Sequence, residues 1–426
     1  MAATLRRRSW RLAVVALTGT TATALVAGCG GDSATPSKRD QPAPVALHAS
    51  GAPSGLRIGV VVTLTSRPGE GADWSEASEG AQVAAFRYRL GGTDVTLTAV
   101  NDKGTPEGAR AAVSQLAGDH VAGIVFATSG RHLDAGLAQA QSSGIASILP
   151  YPTDVALPAD AWTIAPGAEQ VGSGLSDRLT AIGASTPVVV DAGGPVPSGL
   201  KGIRVLHVAS GGDGTGLAGK VAKLKRRNAA DAVVISGDAA AEATVTAALQ
   251  GAGVNLPVLL TPTALSPAFA AALDKAGGSL ETTFTTVGVP SPDTTALTQG
   301  ASGAAASAFL AALRTAAASP TLKDFFDAES FDTVAAGADS RSHDAVVALV
   351  TAAARAKSDD PAKVLAALKS LSLTNADGLA GPALDFGQQQ ALGDSGVTAL
   401  ESTAQGTELR PPSKQAQLFW FTAPRA

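Results

Sequence analysis

Five histidines, a single cysteine, one glycine-rich segment and a run of acids are the features of this 426-residue chain whose types could carry chemistry. The histidines stand at 48, 120, 132, 207 and 343, none spaced from another like a pair of metal ligands, and no second thiol exists to help them. Ser129 lacks a G-x-S-x-G elbow and has no identifiable base. The acids Asp324, Asp327, Glu329 and Asp332 lack the glycine turn and spacing of a calcium loop and read as a solvated surface. Gly214-Thr215-Gly216-Leu217-Ala218-Gly219 has the form of a dinucleotide fingerprint, with Asp238 further on. Its first glycine, however, comes several residues after the preceding strand-like run, too late for the tight turn that brings backbone to a pyrophosphate. Nothing in these residues argues for an enzyme, and no cofactor and no metal are expected.

Cys29 has a different use. Arg6, Arg7, Arg8 and Arg11 open the chain without any acid, and an apolar stretch from Leu12 to Ala27 follows. That order is the layout of a secretory signal, and the stretch is too short for a comfortable membrane span. It ends Leu25-Val26-Ala27-Gly28-Cys29, which looks like a bacterial lipobox, whose cysteine carries a diacylglyceryl group after residues 1–28 are removed. A lone thiol outside the cell is otherwise a liability. Losing those four arginines takes the formal net charge from −4 to −8, so no basic nucleic-acid footprint remains. Residues 29–55, rich in Ser, Pro, Ala and Gly, read as a flexible tether. The expected location is the outer face of the cytoplasmic membrane, held by lipid.

From Leu56 onward, short β-branched runs alternate with amphipathic stretches. Strands are expected at 56–64, 94–100, 121–126 and 145–149, with helices at 75–90, after Thr105-Pro106-Glu107 and after Arg131. A second block repeats the rhythm: helix 168–182, strands 186–191 and 203–208, helix 215–229, strand 231–236, helix 239–251, strand 257–261, helix 266–276 and strand 281–287. Helices near 302–318 and 342–356 follow, and a third opens at Asp360-Pro361; the last fifty residues are strand-like and turn-rich. Such alternation is the mark of an α/β fold with parallel sheets covered on both faces.

The series IGVVVTLTS…GAQVAAF…VNDKGTPEGARAAVSQL…VAGIVFATSG…GIASILPYPTD…WTIAPGAEQVGSGL, with later DAVVISGDAAAEA, GAGVNLPVLLT, SHDAVVALVTAA and GLAGPALDF, resembles the type I periplasmic solute-binding proteins, nearest the leucine/isoleucine/valine-binding branch. The resemblance runs from about Leu56 to Phe386. It implies two Rossmann-like lobes joined by three crossovers, lobe 1 holding 56–166 plus 288–380 and lobe 2 holding 167–287 plus 381–426. It also implies a monomeric receptor that closes on a small-molecule solute and delivers it to an ABC permease. A sensor using the same trap, or a lipoprotein that keeps the fold without binding, are the alternatives.

In such sheets ligands sit outside the carboxyl ends of the strands. Trp74 stands where the family often places an aromatic wall. Thr128 and Ser129 follow strand 121–126, and Tyr151 and Thr153 follow strand 145–149; together they resemble the family's clamp for a ligand carboxylate. The second lobe departs from the pattern. The family's long loop after its first strand is reduced here to about Ala192–Lys201, and Thr263 stands where an acid usually meets an ammonium group. Asp238, after strand 231–236, is the candidate to take over that contact. Inherited branched-chain specificity does not follow.

Overall fold

The structure is a computed structural model that describes residues 42–201, 203–208 and 212–424. The signal peptide and Cys29 lie outside these residues.

The first sheet comes from the valine-rich run at 56–62 and its neighbours. β1 (Leu56–Val62) is central, flanked by β2 (Val95–Asn101) on one side and by β3 (Ile124–Phe126), β4 (Ser147–Leu149) and β5 (Ala161–Thr163) on the other. All four pairings are parallel, in the order β2-β1-β3-β4-β5. The crossovers are α1 (Ser75–Ser78) with α2 (Gly80–Leu90), α3 (Pro106–Gly118) and α4 (Leu133–Ser142). α3 begins as its sequence promises: Thr105 Oγ1 accepts from Gly108 N–H and Pro106 takes the first helical position. The second sheet has the order β14-β13-β10-β9-β8-β6-β7. Its parallel part is β6 (Pro187–Ala192), β7 (Arg204–His207), β8 (Ala232–Gly237), β9 (Val258–Leu260) and β10 (Thr285–Gly288), linked to α5 (Ala168–Ala181), α6 (Thr215–Arg226), α7 (Ala239–Gly251) and α8 (Pro267–Lys275).

After β10 the chain passes through α9 (Pro292–Thr295) and α10 (Ala301–Ala317) to α11 (Ser340–Ala356) and α12 (Pro361–Leu368). α11 is buried along most of its length, and Val346, Leu349, Val350 and Ala353 join Ile58, Val60 and Val125 in one core. That is why it returns to the first sheet. β11 (Ser372–Leu373) and β12 (Leu384–Asp385) form a small hairpin on the same lobe. β13 (Thr398–Thr403) and β14 (Phe419–Thr422) then add antiparallel strands to the second sheet. The fold is thus two α/β lobes with parallel sheets, as the alternation implied.

Two boundaries differ from the sequence reading. The tether drawn to residue 55 ends earlier: the buried Arg87 holds the Val45 and Pro44 carbonyls at 2.8 and 3.1 Å, and Leu47 is packed into the first core. Residues 384–392 stay with the first lobe, because Leu384, Phe386 and Leu392 fill its core and Ala391 N–H donates to Thr163 O at 2.9 Å. The return to the second sheet therefore begins near 393, not at 381. Neither shift has a compositional signature, since a few apolar side chains in a polar stretch decide it.

A candidate clamp filled by the chain itself

The loops at the carboxyl ends of the first sheet converge on one buried polar network. Thr63, just past β1, donates to Asp102 Oδ1 at 2.6 Å, and the same carboxylate oxygen accepts from Gly104 N–H at 2.9 Å. Thr63 has then used its proton, so the 2.6 Å contact between its Oγ1 and that of Thr128 is donated by Thr128. Asp102 Oδ2 lies 2.8 Å from His132 Nε2, and the other ring nitrogen, Nδ1, lies 2.6 Å from Glu70 Oε2. Glu70 Oε2 also accepts from the His132 backbone N–H at 3.1 Å, at the start of α4 where helix N–H groups favour an anion. Burial lowers the His132 pKa, but Asp102 and then Glu70 outweigh it and raise it above the ordinary histidine value.

Glu70 reaches this point because the segment 66–74 lies directly over the β3–α4 turn. Gly71 has φ 97°, and a Cβ there would stand 2.0 Å from Thr128 Oγ1 and 2.6 Å from Ser129 O. Gly130 has φ 117°, and a Cβ there would stand 2.5 Å from Glu70 Oε2. Only glycine allows both the turn and the approach. Thr153 closes the group: its Oγ1 accepts from Gly130 N–H at 3.3 Å. The structure therefore gathers Thr128, Ser129 and Thr153, but places them under the chain's own loop, with the Glu70 carboxylate on the donors of the α4 start.

The two aromatic candidates meet each other. Trp74 and Tyr151 are fully buried and stacked, with ring centroids 4.4 Å apart and planes within 9°. The Arg341 guanidinium, at the start of α11, lies 5.0 Å from each ring centroid. Neither ring is left as an open wall.

Across the lobes, Asp238 caps α7, its Oδ1 accepting from Ala241 N–H at 2.9 Å. It faces another acid: burial, then the charge of Asp238, push the Asp73 carboxyl above its ordinary range, while a hydrogen bond from Ala239 N–H lowers it. Thr263, where an acid was missed in the sequence, does have one nearby. Glu242 comes from the first turn of α7, accepts from Thr261 N–H at 3.0 Å, and is pushed up to about 8 by burial. Sequence reading passed over Glu70, His132 and Glu242 as bond partners. Their partners lie 62, 30 and 19 residues away, and no local pattern carries that pairing.

No family model and no curated protein sequence matches this chain. Solved structures do. The branched-chain amino acid transporter substrate-binding protein LivJ from Streptococcus pneumoniae, in complex with isoleucine, superposes with TM-score 0.61 at 17% identity over 86% of this chain and 99% of that one. A periplasmic binding protein type 1 from Bordetella pertussis gives 0.59 at 16% over 86% and 100%. An ABC transporter substrate-binding protein from Desulfitobacterium hafniense, in complex with Leu, gives 0.58 at 14% over 85% and 99%. At these identities the likeness is one of fold: the chain has the type I periplasmic binding-protein fold.

Proposed function

We propose that this chain is an extracytoplasmic solute receptor, held at the membrane by lipid on Cys29, whose lobes close on a small polar solute and present it to an ABC permease. The observation that carries the reading is the two-lobed fold itself, matched over 86% of the chain by a protein solved with an amino acid bound. Polar side chains at the carboxyl ends of both sheets support it, since a trap needs contacts from each lobe to favour its closed state. A thermal-shift screen of residues 30–426 against amino acids, amides, small peptides and carboxylates tests it. A solute at a hundred times its dissociation constant adds about 2.7 kcal/mol of stability; a screen without any shift counts against the receptor.

One observation favours a second reading, a lipoprotein that keeps the fold and does not bind. Glu70 and Gly71 cover the turn where a solute carboxylate was expected. The same screen separates the two.

A further inference from the structure

The negative charge of the chain is not spread evenly. Residues 201–227 hold seven lysines and arginines and a single acid, Asp213. Their net charge is +6 (seven less one), so the rest of residues 29–426 carries −14 (−8 less +6). Lys201, Arg204, Lys220, Lys223, Arg226 and Arg227 are exposed, and none of them makes an ion pair among the described residues.

The fold brings these six to one side of the second lobe. α6 buries Leu217, Ala218 and Val221 against the sheet. Lys220, Lys223, Arg226 and Arg227, at three- and four-residue spacing, form the opposite stripe. Because α6 joins β7 to β8, both parallel to β6, it runs back against them and its last turn lies at their amino ends. Arg204 opens β7, the last strand of the sheet. Leu206, two residues on, packs into the core beneath α6, whereas Val205 packs into the core on the other face. Alternation therefore puts Arg204 on the α6 side of the edge, at the end where α6 finishes, with Lys201 just before it. Asp231, also at that end, spends its carboxylate on Ser185 and Thr186 N–H, 2.7 and 2.9 Å away, and Asp213 spends its own on Thr215 N–H at the start of α6.

Helix carbonyls at a C-terminus favour cations, which accounts for basic residues in the last turn of α6. They do not account for Lys201, Arg204 or Lys220. Six exposed cations without an internal partner match an anionic surface, and the place of this face decides which one. It lies toward the amino ends of the strands, away from the carboxyl ends where solutes sit in such sheets, so it can be covered without closing the cleft. Resting on the membrane-held receptor reading above, we propose that the α6–β7 side of lobe 2 is a docking face for a bilayer bearing anionic phospholipid. Such a surface attracts each nearby Lys or Arg, and only within a Debye length. A lipid on Cys29 would be the first attachment; this face is a second, which sets the side of the body turned to the membrane.

Co-sedimentation of residues 30–426, which lack the lipid, with vesicles tests this. At about 50 mM salt the protein is expected to pellet with vesicles of equal phosphatidylglycerol and phosphatidylcholine, and to be released at about 0.5 M salt. It should stay in solution with phosphatidylcholine alone. Lys220→Glu, Lys223→Glu and Arg227→Glu together should weaken the partition about a hundredfold or more, at roughly fivefold for each charge. Arg110→Glu, Lys323→Glu and Lys363→Glu, exposed positions outside lobe 2 with the same change of charge, should weaken it less than about threefold. Equal weakening by the two triple variants overturns the face, as does a protein that ignores the anionic vesicles. Binding to soluble poly-L-glutamate without binding to vesicles would assign the face to an acidic protein segment and overturns it likewise. Any solute-induced thermal shift should be the same in the first triple variant as in the wild type. Failure of vesicle binding with that shift intact sinks the face alone; vesicle binding without any shift sinks the receptor alone.

Discussion

A carboxylate on each ring nitrogen leaves His132 one workable state, in which both nitrogens carry protons and donate. Its folded pKa is raised, so the stabilisation it provides is complete below the unfolded value and is lost as pH rises through the folded one. Nitrogen-detected NMR of the ring should therefore show a doubly protonated imidazole persisting above pH 6.5. Glu70→Gln should bring its titration midpoint down, because Asp102 then acts alone. A ring that is neutral at pH 6.5 in the wild type would show that Glu70 does not occupy the α4 start. None of this could be read from the residue itself. In sequence His132 is simply a histidine without a metal partner; its role comes from loops that the sheet brings together.

At the level of elements the sequence was informative wherever a local rule applies. Thr105-Pro106 and Asp360-Pro361 open helices with the caps their side chains offer, Asp360 Oδ1 accepting from Lys363 N–H at 3.0 Å. The valine-rich runs at β1, β6 and β8 are largely enclosed strands. The helix expected at 75–90 is present as α1 and α2, interrupted only at Glu79, and a 3-10 turn at Ala72–Trp74 leads into it from the loop that crosses the sheet ends. β5 went unread because Ala161-Trp162-Thr163 lacks the aliphatic run that marked the equally short β3, β4 and β9. The loop 66–74 is the element on which the covered clamp depends. Gly71→Ala meets both a positive φ and Thr128, and should destabilise the fold by about 2 kcal/mol or more. Gly118→Ala, in the last turn of α3 with open space around it, should be neutral or stabilising by up to about 1 kcal/mol. Urea unfolding of the two variants checks the contrast; equal effects would mean that the loop does not press on the turn.

For the whole molecule, the acidic balance, the expected export signal and the two-lobed fold are what the proposed role, holding a solute near a membrane partner, rests on. No helix among the described residues is long and apolar enough to cross a membrane. The proposed attachment is at Cys29, where a diacylglyceryl group would supply the two acyl chains that firm anchoring requires. Cys29→Ser should leave the protein unlabelled by radioactive palmitate and either unprocessed or released; continued labelling would remove the anchor. Fold class was legible because strand–helix alternation is a repeated local signal. The placement of the site was not, because it rests on pairings that no local pattern carries, such as Glu70 with His132, 62 residues on, and Glu76 with Gln415, 2.8 Å from one another.

The receptor claim is tested most directly by melting residues 30–426 across a concentration series of each solute in the screen. A bound solute raises the transition in proportion to the logarithm of its excess, reaching about 2.7 kcal/mol at a hundredfold excess over its dissociation constant. At least one small polar solute is expected to do so. Transitions that stay fixed for every solute up to millimolar concentrations would contradict the receptor and leave the non-binding lipoprotein in its place.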